Sequence, residues 1–118
     1  MNNFERAKTY FLKGVESLES KDYVEAEKCF EMSLEALHDR VSTLTNLSAT
    51  KIKLKDLNAA KELALRAVEL DSTCFEGYLN LGLVEKEYKN FQGAVTYFDA
   101  AIKLNPAYAE AWFNKGSA

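Results

Sequence analysis

The side chains that could carry out catalysis are few in this chain, and their spacing does not assemble a reaction centre. His38 is followed by Asp39 and Arg40, a setting typical of a histidine in a solvated loop. Four glutamates resemble paired carboxylates but have the spacing of an exposed helix face: Glu25, Glu27, Glu31 and Glu35. The sequence contains no glycine-rich phosphate loop, no metal-ligand cluster and no nucleophile–base pair. We therefore expect no catalytic residue, no metal and no cofactor.

A row of asparagines is the more regular chemical feature. Asn46, Asn80 and Asn114 stand 34 residues apart. An asparagine amide can donate a hydrogen bond to a peptide C=O group and accept one from its N–H group at the same time. A row of such side chains could hold an extended chain by its backbone without reading its sequence, provided that the fold places them in line.

The spacing of the asparagines belongs to the whole chain, which repeats itself every 34 residues. Small residues recur at this period: Gly14, Ser48, Gly82 and Gly116. The period divides the chain into three units and the start of a truncated fourth: 7–40, 41–74, 75–108 and 109–118. Self-similarity of this length indicates a stacked array of helices. Such arrays offer concave surfaces to other chains.

Each unit contains two helical patterns joined by a polar pair. The second residue of the pair can cap the second helix with its side-chain oxygen: Asp22, Asp56 and Asn90. The apolar residue that follows is expected to pack into the hairpin: Tyr23, Leu57 and Phe91. Pro106 is expected to end the second helix of the third unit, because proline cannot continue a helix.

Small residues are expected where the two helices of a unit lie closest together. Gly14 is expected to face Ala26, and the equivalent residues of the other units pair in the same way. Phe30 fills the space between neighbouring helices in the first unit, and Phe98 does so in the third. The second unit has Ala64 at that position. We therefore expect a thinner or differently filled layer there, with Leu63 or Leu65 leaning in.

Composition argues against several classes of protein. The 15 basic and 18 acidic residues give a net charge of −3, whereas broad nucleic-acid binding needs a basic face. Cys29 and Cys74 belong to no CxxC pair, so we expect free thiols in a reducing compartment. Residues 1–20 lack the apolar core of a secretory signal, and no window approaches the ~18 apolar residues of a membrane span. We expect a cytoplasmic protein that binds neither nucleic acid nor membrane.

The repeat pattern resembles the tetratricopeptide repeat family, whose 34-residue unit is a helix–turn–helix. The family motif runs aromatic-x-x-Leu-Gly in the first helix, Ala, aromatic and Ala in the second, and Pro at the boundary. The third unit matches it with Tyr78, Leu81, Gly82, Ala94, Phe98, Ala101 and Pro106. The chain departs from it at Lys13 and Lys115, where the motif has Leu, and at His38 and Ser72, where it has Pro. The resemblance implies an all-α, right-handed superhelix of antiparallel helix pairs, an α-solenoid, whose first helices line the concave face.

On the geometry of that family, a peptide-binding groove is expected along the first helices. Its candidate residues are Phe11, Val15, Asn46, Lys53, Leu79, Asn80, Leu83, Phe113 and Asn114. The asparagines resemble the ladder in the superhelix of O-linked N-acetylglucosamine transferases. Two alternatives stay open, since asparagine is common at this place in the family and a neighbouring helix could cover part of the apolar surface. Chaperone-binding members of the family hold a C-terminal carboxylate in a clamp that includes lysine side chains. That clamp is not expected here, because the fifth residues of the successive units are Phe11, Thr45, Leu79 and Phe113.

These features predict a protein-interaction module, not an enzyme, that binds a protein or peptide partner as an extended segment or a helix in the concave groove. The alternative is a targeting or oligomerisation arm at the N-terminus of a larger enzyme such as a transferase. Trp112 and Phe113 would lie on a helix without its hairpin partner, and a repeat array needs polar terminal surfaces. We therefore expect an N-terminal fragment of a longer protein, and a homodimer through this exposed C-terminal helix.

Overall fold

The computed structural model describes residues 2–107, which form six α-helices and no β-strand. The helices are α1 (Asn3–Glu19), α2 (Tyr23–Ala36), α3 (Val41–Lys53), α4 (Leu57–Leu70), α5 (Phe75–Glu87) and α6 (Phe91–Leu104). Consecutive helices pack as the hairpins α1/α2, α3/α4 and α5/α6. All six are too short or too polar to cross a bilayer. The segment 109–118, on which the homodimer prediction depends, lies outside the described residues.

Each hairpin turns at a lysine in the left-handed backbone conformation. The three lysines are Lys21, Lys55 and Lys89, with φ of 61°, 67° and 66°. This conformation costs roughly 1–2 kcal/mol for a residue with a Cβ atom. The residue after the lysine then caps the second helix, as predicted: a side-chain oxygen of Asp22 accepts from the N–H of Glu25 at 3.2 Å. Asp56 and Asn90 cap their helices at 3.4 and 3.2 Å.

The glycines of α1 and α5 make room for aromatic rings of the second helices. A Cβ atom on Gly14 would lie 2.5 Å from Cε1 of Phe30, and one on Gly82 would lie 2.4 Å from Cε1 of Phe98. These distances are far inside van der Waals contact. The nearest atoms therefore belong to the ring, rather than to the facing alanine expected from the sequence.

The second hairpin replaces both partners of this contact. Ser48 stands at the glycine position and Ala64 at the phenylalanine position, and both are fully buried. Oγ of Ser48 donates a hydrogen bond to the carbonyl of Ala60 at 2.7 Å. Leu63 packs against the apolar core cluster, whereas Leu65 is 40% exposed. Of the two residues named from the sequence, Leu63 is therefore the one that packs against the core, at the cluster of Ala26, Phe30 and Leu47.

The apolar residue after each turn behaves differently in the third hairpin. Tyr23 and Leu57 are half-buried, but Phe91 is 61% exposed, so the expectation that it packs into its hairpin is wrong. The reason is that α2 and α4 each pack against a following hairpin, and α6 has none among the described residues. Phe91 and Val95, which is 58% exposed, lie one turn apart on α6.

The six helices form two layers. Helix α3 contacts both α1 and α5, whereas α2 and α4, and likewise α4 and α6, have no Cα atoms within 8 Å of each other over the described chain. A curved array of two layers is more closely spaced on its inner side. The first helices of the three hairpins therefore lie on the concave side, as the family resemblance implied.

One ion pair joins each hairpin to the next, and the two pairs carry their charges in opposite orientations. In the first pair the lysine is on the later helix, and in the second it is on the earlier helix. Nζ of Lys51 on α3 lies 2.7 Å from a carboxylate oxygen of Glu27 on α2. Nζ of Lys61 on α4 lies 3.0 Å from a carboxylate oxygen of Glu85 on α5. The hydrogen bond from Lys61, with one from Asn90, lowers the pKa of Glu85 below its ordinary value. Burial alone would lower the pKa of Lys51, but the hydrogen bond to Glu27 and nearby carboxylates raise it.

Candidate functional site

The apolar residues predicted for the groove are divided between the core and the surface. Phe11 and Val15 on α1, and Leu79 and Leu83 on α5, are half-buried. The two α1 side chains pack against the core cluster around Phe30, whose ring centroid lies 5.9 Å from that of Phe11. One side of these residues thus serves the chain's own packing, and the other side contributes apolar surface.

The predicted asparagine row has a structural role at one of its members. Asn80 is 5% exposed, and its Nδ2 donates to the carbonyl oxygen of Thr45 at 3.0 Å, which ties α5 to α3. The expectation that Asn80 lies open to a ligand is therefore wrong. Asn46 is half-buried and its Nδ2 donates to the carbonyl of Ser42 in its own helix at 2.8 Å. Asn114, like Phe113, lies outside the described residues.

A cavity of about 250 Å³ opens between the C-terminal halves of α3 and α5. It brings together two of the predicted residues, Lys53 and Leu83, and four others: Ala49, Ile52, Lys55 and Glu87. Ile52 was not selected as a groove residue from the sequence, although it stands at the twelfth place of its unit, one of the places that face the groove in the family. Lys55 belongs to the turn after α3. It was not predicted, because the predicted groove residues were taken from the first helices only.

The rim of this cavity carries more positive than negative charge. Nζ of Lys55 lies 4.0 Å from a carboxylate oxygen of Glu87, and both side chains are exposed. Lys53 is exposed and forms no ion pair within residues 2–107. The net charge of the three rim side chains is therefore positive, and the unpaired contribution comes from Lys53.

An arginine that the sequence interpretation overlooked lies at the other end of the first-helix layer. The guanidinium of Arg40 lies 5.6 Å from the ring centroid of Phe11 and 5.9 Å from that of Phe4. These are cation–π distances. Its Nη1 atom is buried and has no hydrogen-bond partner in the described part of the chain. Arg40 therefore covers one edge of Phe11 and helps to anchor the start of α3 on α1.

The remaining reactive side chains do not form a chemical centre. Cys29 and Cys74 are buried free thiols, and burial raises the pKa of both, which disfavours the thiolate. At the loop between α2 and α3, Arg66 donates to Asp39 at 3.0 Å and, with His38, holds the pKa of Asp39 below its usual value. Within residues 2–107, no three His, Cys, Asp or Glu side chains converge as metal ligands.

The two-layered stack of helical hairpins defines the class of protein as an α-solenoid. A family model described as "Tetratricopeptide repeat" matches residues 41–74 and 75–108, which is more than half of the chain. The chain belongs to the tetratricopeptide repeat family. The two matched ranges coincide with the second and third units of the sequence period.

Curated relatives are similar over part of their length only. The chain is 38% identical over 73 residues to the Sol locus transcriptional repressor of Clostridium acetobutylicum, covering 59% of this chain and 23% of that protein. It is 29% identical over 94 residues to the UDP-N-acetylglucosamine–peptide N-acetylglucosaminyltransferase of Giardia intestinalis, covering 80% of this chain and 6% of that protein. The transferase of the same name from Caenorhabditis elegans is 33% identical over 76 residues, covering 64% of this chain and 7% of that protein. The chain thus spans less than a quarter of each relative.

Solved structures match almost the whole chain in fold. The Arabidopsis OM64 TPR domain superposes with a TM-score of 0.86 at 20% identity, covering 89% of this chain and 87% of that one. The first TPR of Spaghetti (RPAP3), bound to the HSP90 peptide SRMEEVD, superposes with a TM-score of 0.82 at 18% identity, covering 97% and 95%. At these identities the likeness shows the fold.

Proposed function

We propose that this chain is a protein-interaction module that binds an extended peptide segment, or a helix, in the groove along α1, α3 and α5. The observation that carries the proposal is the cavity between α3 and α5, which combines an apolar floor with a charged rim on the concave side of the array. Partly exposed apolar surface in a concave position is typical of contact sites. A structural neighbour that binds a peptide is consistent with this proposal.

The bound segment does not require a free C-terminal carboxylate. A carboxylate clamp of the kind found in chaperone-binding family members would need a cationic side chain at the fifth residue of a repeat unit. In the structure these places hold the half-buried Phe11 and Leu79 and the buried Thr45. We therefore expect an internal peptide segment, held by apolar contacts and backbone hydrogen bonds, to bind as well as a terminal one.

A random-peptide selection on the 118-residue chain tests the proposal. Selected peptides are measured by fluorescence anisotropy against the original chain, against Leu83→Gln in the cavity wall, and against the matched control Leu65→Gln on the exposed side of α4. We expect Leu83→Gln to weaken binding about tenfold or more, as for the central residues of an interface, and the control to leave it unchanged. Equal loss in both variants, or selection of no peptide at all, would contradict the groove. Amidated peptides test the terminal carboxylate.

A second candidate function is a targeting or oligomerisation arm of a larger enzyme. Its support is the similarity to N-acetylglucosaminyltransferases that are far longer than the matched region. Reading the coding sequence downstream of the Ala118 codon tests it. A catalytic domain there supports the arm, and further repeats alone argue for the interaction module.

A further inference from the structure

The cavity between α3 and α5 has an alanine in its lining, at a repeat position where the neighbouring first helices carry larger side chains. Ala49 stands at the ninth place of its unit, and the equivalent places hold Val15 and Leu83. The small side chain of Ala49 leaves part of this space open, and the cavity of about 250 Å³ has an apolar lining from Ala49, Ile52 and Leu83. Pockets for whole small molecules are larger, about 300–1,000 Å³. The space therefore suits a single side chain of a bound polypeptide.

The rim of the cavity determines which residue can lie beside that side chain. The carboxylate of Glu87 has Lys55 as its neighbour at 4.0 Å. Lys53 lines the same opening and has no anion of the described chain to pair with. An acidic residue of the partner would gain an attractive contact with Lys53, whereas a basic residue would meet two lysines. Complementary rim charge acts mainly on specificity and on association rate.

Resting on the proposed function, we infer that this cavity is the anchor pocket of the groove and takes one aliphatic side chain of the partner, with an acidic residue of the partner beside it paired with Lys53. The aliphatic side chain fills the space over Ala49. The acidic residue lies at most two positions away along the partner, within reach of the Lys53 ammonium group. Acidic peptides with isolated aliphatic residues are thus the class of partner that this groove selects.

Two substitutions with matched controls test the anchor pocket. Ala49→Leu fills the pocket, and Ala59→Leu makes the same change at a half-buried position on α4, outside the pocket. Lys53→Glu reverses the rim charge, and Lys28→Glu makes the same change at an exposed position on α2. The peptides selected on the original chain are titrated against all four variants, with far-UV circular dichroism as the check on folding. Because Lys53 is exposed, Lys53→Glu keeps the test valid even if Ala49→Leu unfolds.

The expected sequences pair a Leu, Ile, Val or Met with an Asp or Glu no more than two residues away. We expect Ala49→Leu to weaken their binding about tenfold or more, and Lys53→Glu to weaken it about three- to tenfold, with the loss reduced at high salt. Both controls stay within about twofold of the original chain. If the selected peptides lack the aliphatic and acidic pair, the anchor pocket is wrong while the groove stands. The same conclusion follows if the peptides bind Ala49→Leu and Lys53→Glu as tightly as they bind the original chain. If the original chain selects no peptide, the groove itself fails.

Discussion

The bond from Asn80 to Thr45 yields a prediction that separates a structural role from a ligand-binding role. Asn80→Ala removes the hydrogen bond of 3.0 Å between α5 and α3 and deletes an amide group that is 5% exposed. A hydrogen bond of this kind contributes about 0.5–1.5 kcal/mol net. The small void adds about 0.5–1 kcal/mol, and the better helix propensity of alanine returns roughly 0.5 kcal/mol. We expect a loss of about 0.5–2 kcal/mol in the free energy of unfolding.

Asn46→Ala is the matched control, at the equivalent place of the preceding unit. Its amide bonds only to the carbonyl of Ser42 in the same helix, and the side chain is half-buried. The loss of this local bond is offset by the helix propensity of alanine, roughly 0.5 kcal/mol. We expect the free energy of unfolding to change by no more than about 0.5 kcal/mol. The loss at Asn80 should therefore exceed the change at Asn46, by up to about 2 kcal/mol.

Urea unfolding followed by far-UV circular dichroism measures both variants, and peptide titration measures their binding. If Asn80→Ala is as stable as Asn46→Ala, the hydrogen bond to Thr45 contributes nothing to the free energy of unfolding. The structural role of Asn80 is then refuted. If Asn80→Ala retains its stability but loses peptide binding, Asn80 opens to the ligand and the original ladder hypothesis returns. If only Asn46→Ala loses binding, the backbone contact is made by that residue alone.

Three further perturbations follow from the packing and the ion pairs. Gly14→Ala would place a Cβ atom 2.5 Å from the fully buried ring of Phe30. This overpacking costs about 1–3 kcal/mol, and the helix propensity of alanine returns about 1 kcal/mol, so urea titrations should show a net loss of up to about 2 kcal/mol; an unchanged midpoint would show that the ring can retreat. Lys51→Glu should destabilise by about 1–3 kcal/mol, because it would face Glu27 and also Asp56, which lies 4.0 Å from Nζ of Lys51. Adding Glu27→Lys should restore the part of the loss that belongs to the Glu27 contact in a double-mutant cycle. The folded-state pKa of Glu85 is lowered, so its contribution to stability is complete above the unfolded pKa of about 4.3 and is lost as pH falls through the folded pKa. Glu85→Gln should flatten the fall in stability below about pH 4.5, and an equally steep fall in the variant would refute this assignment.

Most of the fold could be predicted because it depends on local rules that the 34-residue period repeats. Asp22 follows the polar turn and precedes an apolar helix, and a cap at that place is set by the first free amides of the helix. The left-handed turn at Lys21 could not be predicted from residue type, since lysine has no preference for φ of 61°. That conformation is imposed by closure of the hairpin and is compensated by the packing on either side of the turn.

The site was harder to predict because its members depend on contacts across repeats. Asn80 has the same residue type and repeat position as Asn46, yet only Asn80 is bonded to the preceding first helix. The anchor cavity is lined by Ala49, which is smaller than its repeat equivalents Val15 and Leu83, but a difference in size at one repeat position does not reveal from the sequence that a cavity forms there. Repeat position thus predicts which face a residue lies on. It does not predict whether the side chain of that residue is already bonded to a neighbouring unit.

The reversed ion pairs bear on how near-identical units stack in one order. Wrong stacking of α2 on α5 would place Glu27 opposite Glu85. The chain's own order places opposite charges at 2.7 and 3.0 Å instead. Hairpins of the same shape compete for the same partners during folding, and like charges brought together penalise the wrong choice. The pairs therefore contribute to the order of the units even where their net contribution to stability is small. A charge swap within the Glu27–Lys51 pair would place lysine on the earlier helix and glutamate on the later helix of both interfaces, and it would remove this discrimination between the units.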